Sequence, residues 1–173
     1  MQKNIRGIRL LTITAMMTAL SIVIGIFCKS FLNFGGGLFR ITFENIPIIL
    51  TGITLGPVLG GAVGLASDLV SYMLSGQAYP PNLIVTLGAT MVGVVSGIAS
   101  RYVFKRKGSF QIIASAGLAH IIGSMIIKPI GLYQFYGILV LWRIPLYLVI
   151  APIEILLLCL LLKRKSFARI IGY

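Results

Sequence analysis

Apolar runs of about twenty residues, separated by short cationic segments, constrain this chain more than any other feature. A helix needs about twenty apolar residues to cross the hydrocarbon core of a bilayer. The chain is 58% hydrophobic and carries 15 Lys and Arg against 3 Asp and Glu, which argues against a soluble domain and against a nucleic-acid-binding protein. We therefore predict an all-α integral membrane protein. The apolar runs cover roughly residues 10–28, 46–74, 82–104, 110–127 and 143–162.

The cationic clusters decide the predicted topology, because positively charged loops are retained on the cytoplasmic side. All three clusters share that side only if the run 46–74 crosses the membrane twice. Pro57 disfavours helical geometry at Gly56 and places the break there. We expect a single domain over residues 1–173, with six transmembrane helices and both termini cytoplasmic. The clusters are Lys3, Arg6 and Arg9; Arg101, Lys105, Arg106 and Lys107; and Lys163, Arg164, Lys165 and Arg169.

The remaining segments are predicted to be outer loops, at roughly 29–45, 75–81 and 128–142, and no segment has the periodicity of a strand. Small residues spaced four apart are typical of helices that approach each other closely in lipid. For the glycine pairs we predict packing inside the bundle. For Ala15 and Ala19 the pattern leaves open whether they pack internally or face a second membrane protein. The glycine pairs are Gly52 with Gly56, Gly60 with Gly64, and Gly93 with Gly97.

Several chemistries have no sequence support. No GxxxxGK[ST] phosphate-binding loop occurs, so ATP hydrolysis by that route is excluded. The predicted topology places Cys28 and Cys159 near opposite faces of the membrane, which excludes a shared disulfide or metal site. One His and three acidic residues form no metal-binding pattern. We therefore expect a binding protein without catalytic residues, metal or cofactor, rather than an enzyme.

Polar residues inside the predicted spans are the candidates for binding, because charges there are costly. Asp68 has no Lys or Arg on its own helix, so a cation from another helix or a ligand must satisfy it. His120 lies at a similar depth and is either a packing residue or a ligand contact. Glu154 either pairs internally or faces a partner. Candidates nearer the outer side are Arg40, Glu44, Tyr72, Lys128, Trp142 and Arg143.

Cations at the rim of an outer cavity and a deeper carboxylate suggest a ligand with two unlike ends. Arg40, Lys128 and Arg143 are candidates for binding carboxylates, although Arg40 has Glu44 as an alternative partner. Arg143 alternatively only orients the last helix. Asp68 would accept paired N–H groups from an amino-heterocycle, while Tyr72 and Trp142 stack on rings. Folates have this form.

The sequence also resembles a known family. Arg40-Ile-Thr-Phe-Glu-Asn-Ile-Pro47, Gly52-Ile-Thr-Leu-Gly-Pro-Val-Leu-Gly-Gly61 and Gly64-Leu-Ala-Ser-Asp68 are similar to segments of the S components of energy-coupling factor (ECF) vitamin transporters, most closely the folate-specific branch. The resemblance implies a subunit of the prokaryotic cell membrane that captures a vitamin from outside with high affinity. It implies docking through Ala15 and Ala19 on a transmembrane coupling protein that carries two cytoplasmic ATPases, and toppling of the S component to carry the vitamin inward.

Three alternatives stay open at this stage. One is an S component for another nutrient, such as a pantothenate-like or thiamin-like compound. A membrane-embedded transferase would be expected to carry an acidic metal-binding cluster in a cytoplasmic loop, and three scattered acidic residues argue against it. A structural subunit without a substrate would leave Asp68 unexplained.

Overall fold

The chain forms helices along nearly all of its described length. The computed structural model describes residues 2–34, 39–75, 82–104 and 108–164. The helices are α1 (Gln2–Phe31), α2 (Asn45–Leu55), α3 (Pro57–Ser75), α4 (Leu83–Ile98), α5 (Ser109–Ala119), α6 (Lys128–Tyr136) and α7 (Arg143–Lys163). A π-helical stretch, Ala99–Val103, extends α4, and a second one, His120–Ile127, joins α5 to α6. A 3-10 helix, Gly137–Trp142, joins α6 to α7.

Helix length and composition agree with the predicted all-α membrane protein. In the described part of the chain, four helical stretches are long and apolar enough to cross a membrane. α2 is apolar but shorter. Large apolar side chains also cover much of the outer surface, as expected for helices that face lipid rather than water. The four stretches are Gly7–Phe31, Pro57–Leu74, Leu83–Val103 and Ser109–Lys163.

The predicted helix break at Gly56 and Pro57 is confirmed. α2 ends at Leu55, Gly56 has a φ of 110°, and α3 begins at Pro57. A side chain at Gly56 would be strained, and its Cβ would lie 2.5 Å from the guanidinium carbon of Arg101. Arg101 donates to the carbonyl of Leu55 at 2.7 Å, so a cation satisfies the C-terminal end of α2.

The predicted packing of glycines inside the bundle is confirmed where α2, α3 and α4 meet. A Cβ added to Gly60 would lie 2.6 Å from Gly52 Cα, and one added to Gly97 would lie 2.6 Å from Pro57 Cα. A Cβ on Gly93 would collide with the carbonyl of Gly60. The three helices therefore touch backbone to backbone, which only glycine permits.

The apolar core lies between α2, α4, α5 and α7. Ile49 of α2, Val92 of α4, Ala116 of α5 and Leu158 of α7 are fully buried within it. α1 packs mainly against α3 and α2 and keeps much of its surface exposed. The core therefore joins the N-terminal and C-terminal halves of the chain behind α1.

The prediction of a loop at residues 128–142 is wrong, because the chain stays helical through α6 and the following 3-10 helix. Lys128 and Pro129 are typical of a loop, but tertiary packing holds the helix here. A Cβ on Gly88 would lie 2.7 Å from Lys128 Cγ, and one on Gly131 would lie 2.9 Å from Ile84 Cβ. α6 thus lies directly against α4, and the turn comes at Gly137, where φ is 56°.

The predicted loop 29–45 contains one short backbone pairing, which leaves the all-α character of the chain unchanged. Two short strands, Asn33–Phe34 and Phe39–Arg40, pair antiparallel in the register Asn33 to Arg40. Two-residue strands are too short for periodicity to reveal them. Of the predicted loop 75–81, residues 76–81 lie outside the described residues.

Candidate functional site

Charged side chains are buried in the interior where the C-terminal end of α1 and the first residues of α2 and α6 meet. Lys29 is 7% exposed, Glu44 5% and Lys128 2%. Neither lipid nor an apolar core can solvate such groups, so each needs a partner on another helix.

Glu44 and Lys128 form the centre of this interior. The Nζ of Lys128 is 3.6 Å from Oε1 of Glu44, and it donates to Oδ1 of Asn45 at 3.3 Å. Glu44 occupies the N-cap position of α2, but its side chain makes no capping bond. The carboxylate is turned toward Lys128 instead. The first turn of α2 is thereby tied to the start of α6, 84 residues further along the chain.

α1 reaches the same interior through small and polar residues. A Cβ on Gly25 would lie 2.9 Å from Oε2 of Glu44, so a side chain there would displace the carboxylate. Ser21 donates to the backbone carbonyl of Glu44 at 2.8 Å, and Lys29 donates to Oγ of Ser71 at 2.7 Å. Lys29 is therefore an interior group rather than a side chain that extends to the membrane surface.

Asp68 lies at the contact of α3 with α4. Its Oδ2 accepts a hydrogen bond from Oγ1 of Thr86 at 2.8 Å, and the side chain is half-buried. Tyr72 follows one turn later and is also half-buried. A hydroxyl on the neighbouring helix thus provides one of the partners that Asp68 requires.

His120 and Glu154 form a second buried polar pair. His120 Nε2 lies 2.9 Å from Glu154 Oε2, and the side chains are 1% and 0% exposed. Asn45 lies beside Glu154 and connects this pair to Lys128. Of the two roles that the sequence left open for Glu154, the structure therefore favours internal pairing.

Of the other predicted site residues, only some are buried. Arg143 is buried, with its guanidinium carbon 5.8 Å from the ring centre of Tyr136. Trp142 is 62% exposed. Arg40 lies in the second strand, and its side chain lies outside the described part of the structure.

An apolar groove of about 420 Å³ opens between the α6 region and the start of α7. Its lining contains no charged residue, so it does not include the buried cations and carboxylates. The lining residues are Met125, Ile126, Pro129, Ile130, Tyr133, Val140, Leu141 and Ile144.

Ala15 and Ala19 are exposed on α1, one turn apart and away from the bundle. The neighbouring threonines satisfy their own hydroxyls, since Thr14 donates to Leu10 O and Thr18 donates to Thr14 O. Such bonds along the helix leave a smooth face without unpaired polar groups. The exposure of both alanines supports a face for a second membrane protein rather than internal packing.

Asn45, Ser71 and Glu154 were not among the predicted binding residues, although all three are buried in or beside the polar interior. Asn45 could have been found from its position directly after Glu44. Ser71 carried no signal beyond one helical turn of separation from Asp68. Among the described residues, no group of three possible ligands could hold a metal ion.

Apolar helices around a polar interior define an α-helical membrane protein, and the comparisons with known proteins give its family. The model of the family described as "ECF transporter, substrate-specific component" matches residues 9–171. The chain therefore belongs to this family of transporter components. This membership confirms the predicted resemblance and the prediction that the chain is not an enzyme.

Two known proteins illustrate the relationship. The chain is 28% identical over 121 residues to "Folate transporter FolT" of Clostridium novyi (strain NT), covering 69% of this chain and 67% of the relative. A solved structure described as "Crystal structure of FolT bound with folic acid" is similar with a TM-score of 0.63 and 23% identity, covering 88% of this chain and 93% of that one. At this level of identity, the similarity to the solved structure shows that the two chains share a fold.

The buried pair of Glu44 and Lys128 predicts a specific pattern of stability. Lys128→Met should cost about 3–5 kcal/mol, because it removes the cation of a buried ion pair in a dry environment. For a chain of this size that corresponds to a fall in Tm of roughly 6–20 °C. Thermal unfolding of detergent-purified protein measures this effect.

Removing both charges should recover most of the loss. We expect Glu44→Gln/Lys128→Met to unfold closer to the parent than Lys128→Met does, because no buried charge is left unpaired. Lys163→Met, which removes an exposed cation, should leave Tm nearly unchanged. Strictly additive losses in the double variant would contradict the pairing.

Proposed function

We propose that the chain is the substrate-capturing subunit of an ECF transporter for folates. Membership of the substrate-specific family gives the class, and the similarity to a protein named as a folate transporter supports the vitamin. The observation that carries the proposal is the burial of Lys128 and Arg143 together with acidic residues in an apolar bundle. A ligand with carboxylates at one end and an amino-heterocycle at the other matches such an interior in charge and in hydrogen bonding.

Each part of a folate has candidate partners among the predicted site residues. Lys128, Arg143 and Arg40 are proposed to bind the glutamate carboxylates, with Glu44 holding Lys128 in place. Tyr72 and Trp142 are proposed to stack on the rings. One of the two intramembrane carboxylates, Asp68 or Glu154, accepts the paired N–H groups of the pterin, and His120 supports that end of the site.

We propose the finer topology on the basis of the helix bounds. α1, α2, α3, α4 with its π-helical extension, the stretch from α5 through α6, and α7 make six crossings in one membrane domain. Arg101 and Lys163 then lie at helix ends on the same side. Positively charged ends of this kind favour the cytoplasm. This assignment places both termini inside and the protein in the prokaryotic cell membrane.

The exposed alanines on α1 support a separate docking surface. The chain has no phosphate-binding loop, so transport requires partners that hydrolyse ATP. The proposed partners are a transmembrane coupling subunit and two cytoplasmic ATPases. Ala15 and Ala19 permit close approach of a partner helix because they carry only a methyl group.

The topology is testable by labelling cysteines from outside intact cells. In a background without Cys28 and Cys159, Gln134→Cys should react with a membrane-impermeant maleimide, because Gln134 is exposed near the proposed outer end of α6. Arg164→Cys, exposed just after α7, should react only after lysis. Labelling of Arg164→Cys in intact cells would refute the proposed orientation.

Docking and binding should be separable. Ala15→Trp or Ala19→Trp should abolish folate uptake in cells that contain the partner subunits, because the bulky ring prevents close helix contact. Folate binding to the purified variants should persist, since the polar interior is untouched. Leu11→Trp, at another exposed position of α1, is the matched control. Equal loss of binding and uptake in the alanine variants would contradict the docking role.

The ligand itself is tested by calorimetry on purified wild-type protein. Folate should bind without ATP, whereas thiamin and pantothenate should not. Arg143→Ala should weaken folate binding by about one to two decades, since charge-assisted hydrogen bonds contribute roughly 1.5–3 kcal/mol. Binding of pterin, which lacks the glutamate, should be spared. Tighter binding of thiamin or pantothenate than of folate would refute the proposed substrate.

A further inference from the structure

Glu154 has more acceptor positions than its neighbouring donors, His120 and Asn45, can fill. Its side chain is fully buried in the middle of α7, and among the described residues neither carboxylate oxygen has a hydrogen bond of good geometry, although His120 lies 2.9 Å away. A carboxylate offers about four acceptor positions. A buried acceptor of this kind is costly unless donors reach it.

A donor of the same kind lies beside this acceptor. Oδ1 of Asn45 accepts from Lys128 at 3.3 Å, which fixes the orientation of the amide. Its Nδ2 has no hydrogen bond of good geometry among the described residues, although it faces Glu154, and an NH₂ group has a second hydrogen to donate. Ser124, one turn after His120, is also fully buried with an unpartnered hydroxyl. The interior thus presents an acceptor pair next to a donor.

This pattern complements one edge of a pterin ring. The edge carries the 2-amino group, the N3–H and the 4-oxo group in sequence, which is two donors followed by an acceptor. Building on the proposed function, we propose that Glu154 accepts the two N–H groups and that Asn45 donates to the 4-oxo group. Parallel bonds to a carboxylate are among the strongest that proteins form.

Asp68 is the weaker candidate for this role. Its Oδ2 already accepts from Thr86, and its side chain is only half-buried. Hydrogen bonds to a partly solvated carboxylate contribute less than bonds in a dry interior. Asp68 therefore provides a matched control, because Asp68→Asn and Glu154→Gln remove the same charge with little change of shape.

The test uses pterin and lumazine, which differ in that lumazine has an oxygen at position 2 in place of the amino group. Wild-type protein should bind pterin about 10- to 100-fold more tightly, because lumazine sets an oxygen against a carboxylate. In Glu154→Gln the amide can donate to the 2-oxo group and still accept from N3–H. The preference should therefore be lost or reversed in Glu154→Gln and kept in Asp68→Asn, as measured by calorimetry.

A second variant covers the case in which Glu154→Gln fails to fold. Asn45→Asp replaces the donor by an acceptor that faces the 4-oxo group of both pterin and lumazine, so it should weaken both by a similar factor of about 10 to 100 and keep the preference for pterin. Unchanged binding of both compounds by Asn45→Asp, or no preference for pterin in the wild-type protein, would overturn the assignment.

Two further outcomes separate this assignment from the proposed function. Loss of the pterin preference in Asp68→Asn but not in Glu154→Gln would overturn the assignment alone and return the role to Asp68. Wild-type protein that binds neither folate nor pterin would overturn the proposed function as well.

Discussion

The need to neutralise charge away from water governs the arrangement of this bundle. Glu44 and Lys128 are both buried, and each stabilises the charge of the other, whose burial alone in an apolar interior would cost several kcal/mol. Their pairing brings the start of α2 to the start of α6 and holds Asn45 between Lys128 and Glu154. The charged groups that pair between these helices are also the groups proposed to bind a charged ligand. The proposed binding site therefore uses the same interactions that hold the helices together.

Close backbone contact makes this arrangement possible. α2 is only 11 residues long, and it packs against α3 and α4 through glycines that leave no space for a side chain. In lipid such contacts replace the hydrophobic driving force that holds soluble helices together. Gly25 extends the same principle to α1, where it admits the carboxylate of Glu44. A methyl group at that position would displace the Glu44 carboxylate.

The sequence predicts those features that depend on local chemistry. The Gly56–Pro57 break, the packing role of the glycines and the all-helical character follow from backbone restriction and apolar length. The helix at Lys128 was missed because Pro129 and a cation are typical of a loop, and only contact with α4 and Glu44 keeps this segment helical. The partner of Glu154 was equally hidden, because His120 lies 34 residues away and spacing cannot show which helix faces it. Pairings between helices are decided by tertiary packing, which a single sequence does not display.

α1 contacts different parts of its surroundings along its length. Ser21, Gly25 and Lys29 contact the polar interior, whereas Ala15 and Ala19, nearer the N-terminus, are exposed. A helix that touches the proposed ligand site at one end and carries the proposed docking face at the other can transmit a change between them without any contact between ligand and partner. Lys29 is the group best placed for this, because its bond to Ser71 joins α1 to the helix that also carries Asp68. We expect a ligand that competes for Lys29 or Ser71 to loosen α1 from α3 and thereby to change how freely the proposed docking face can tilt.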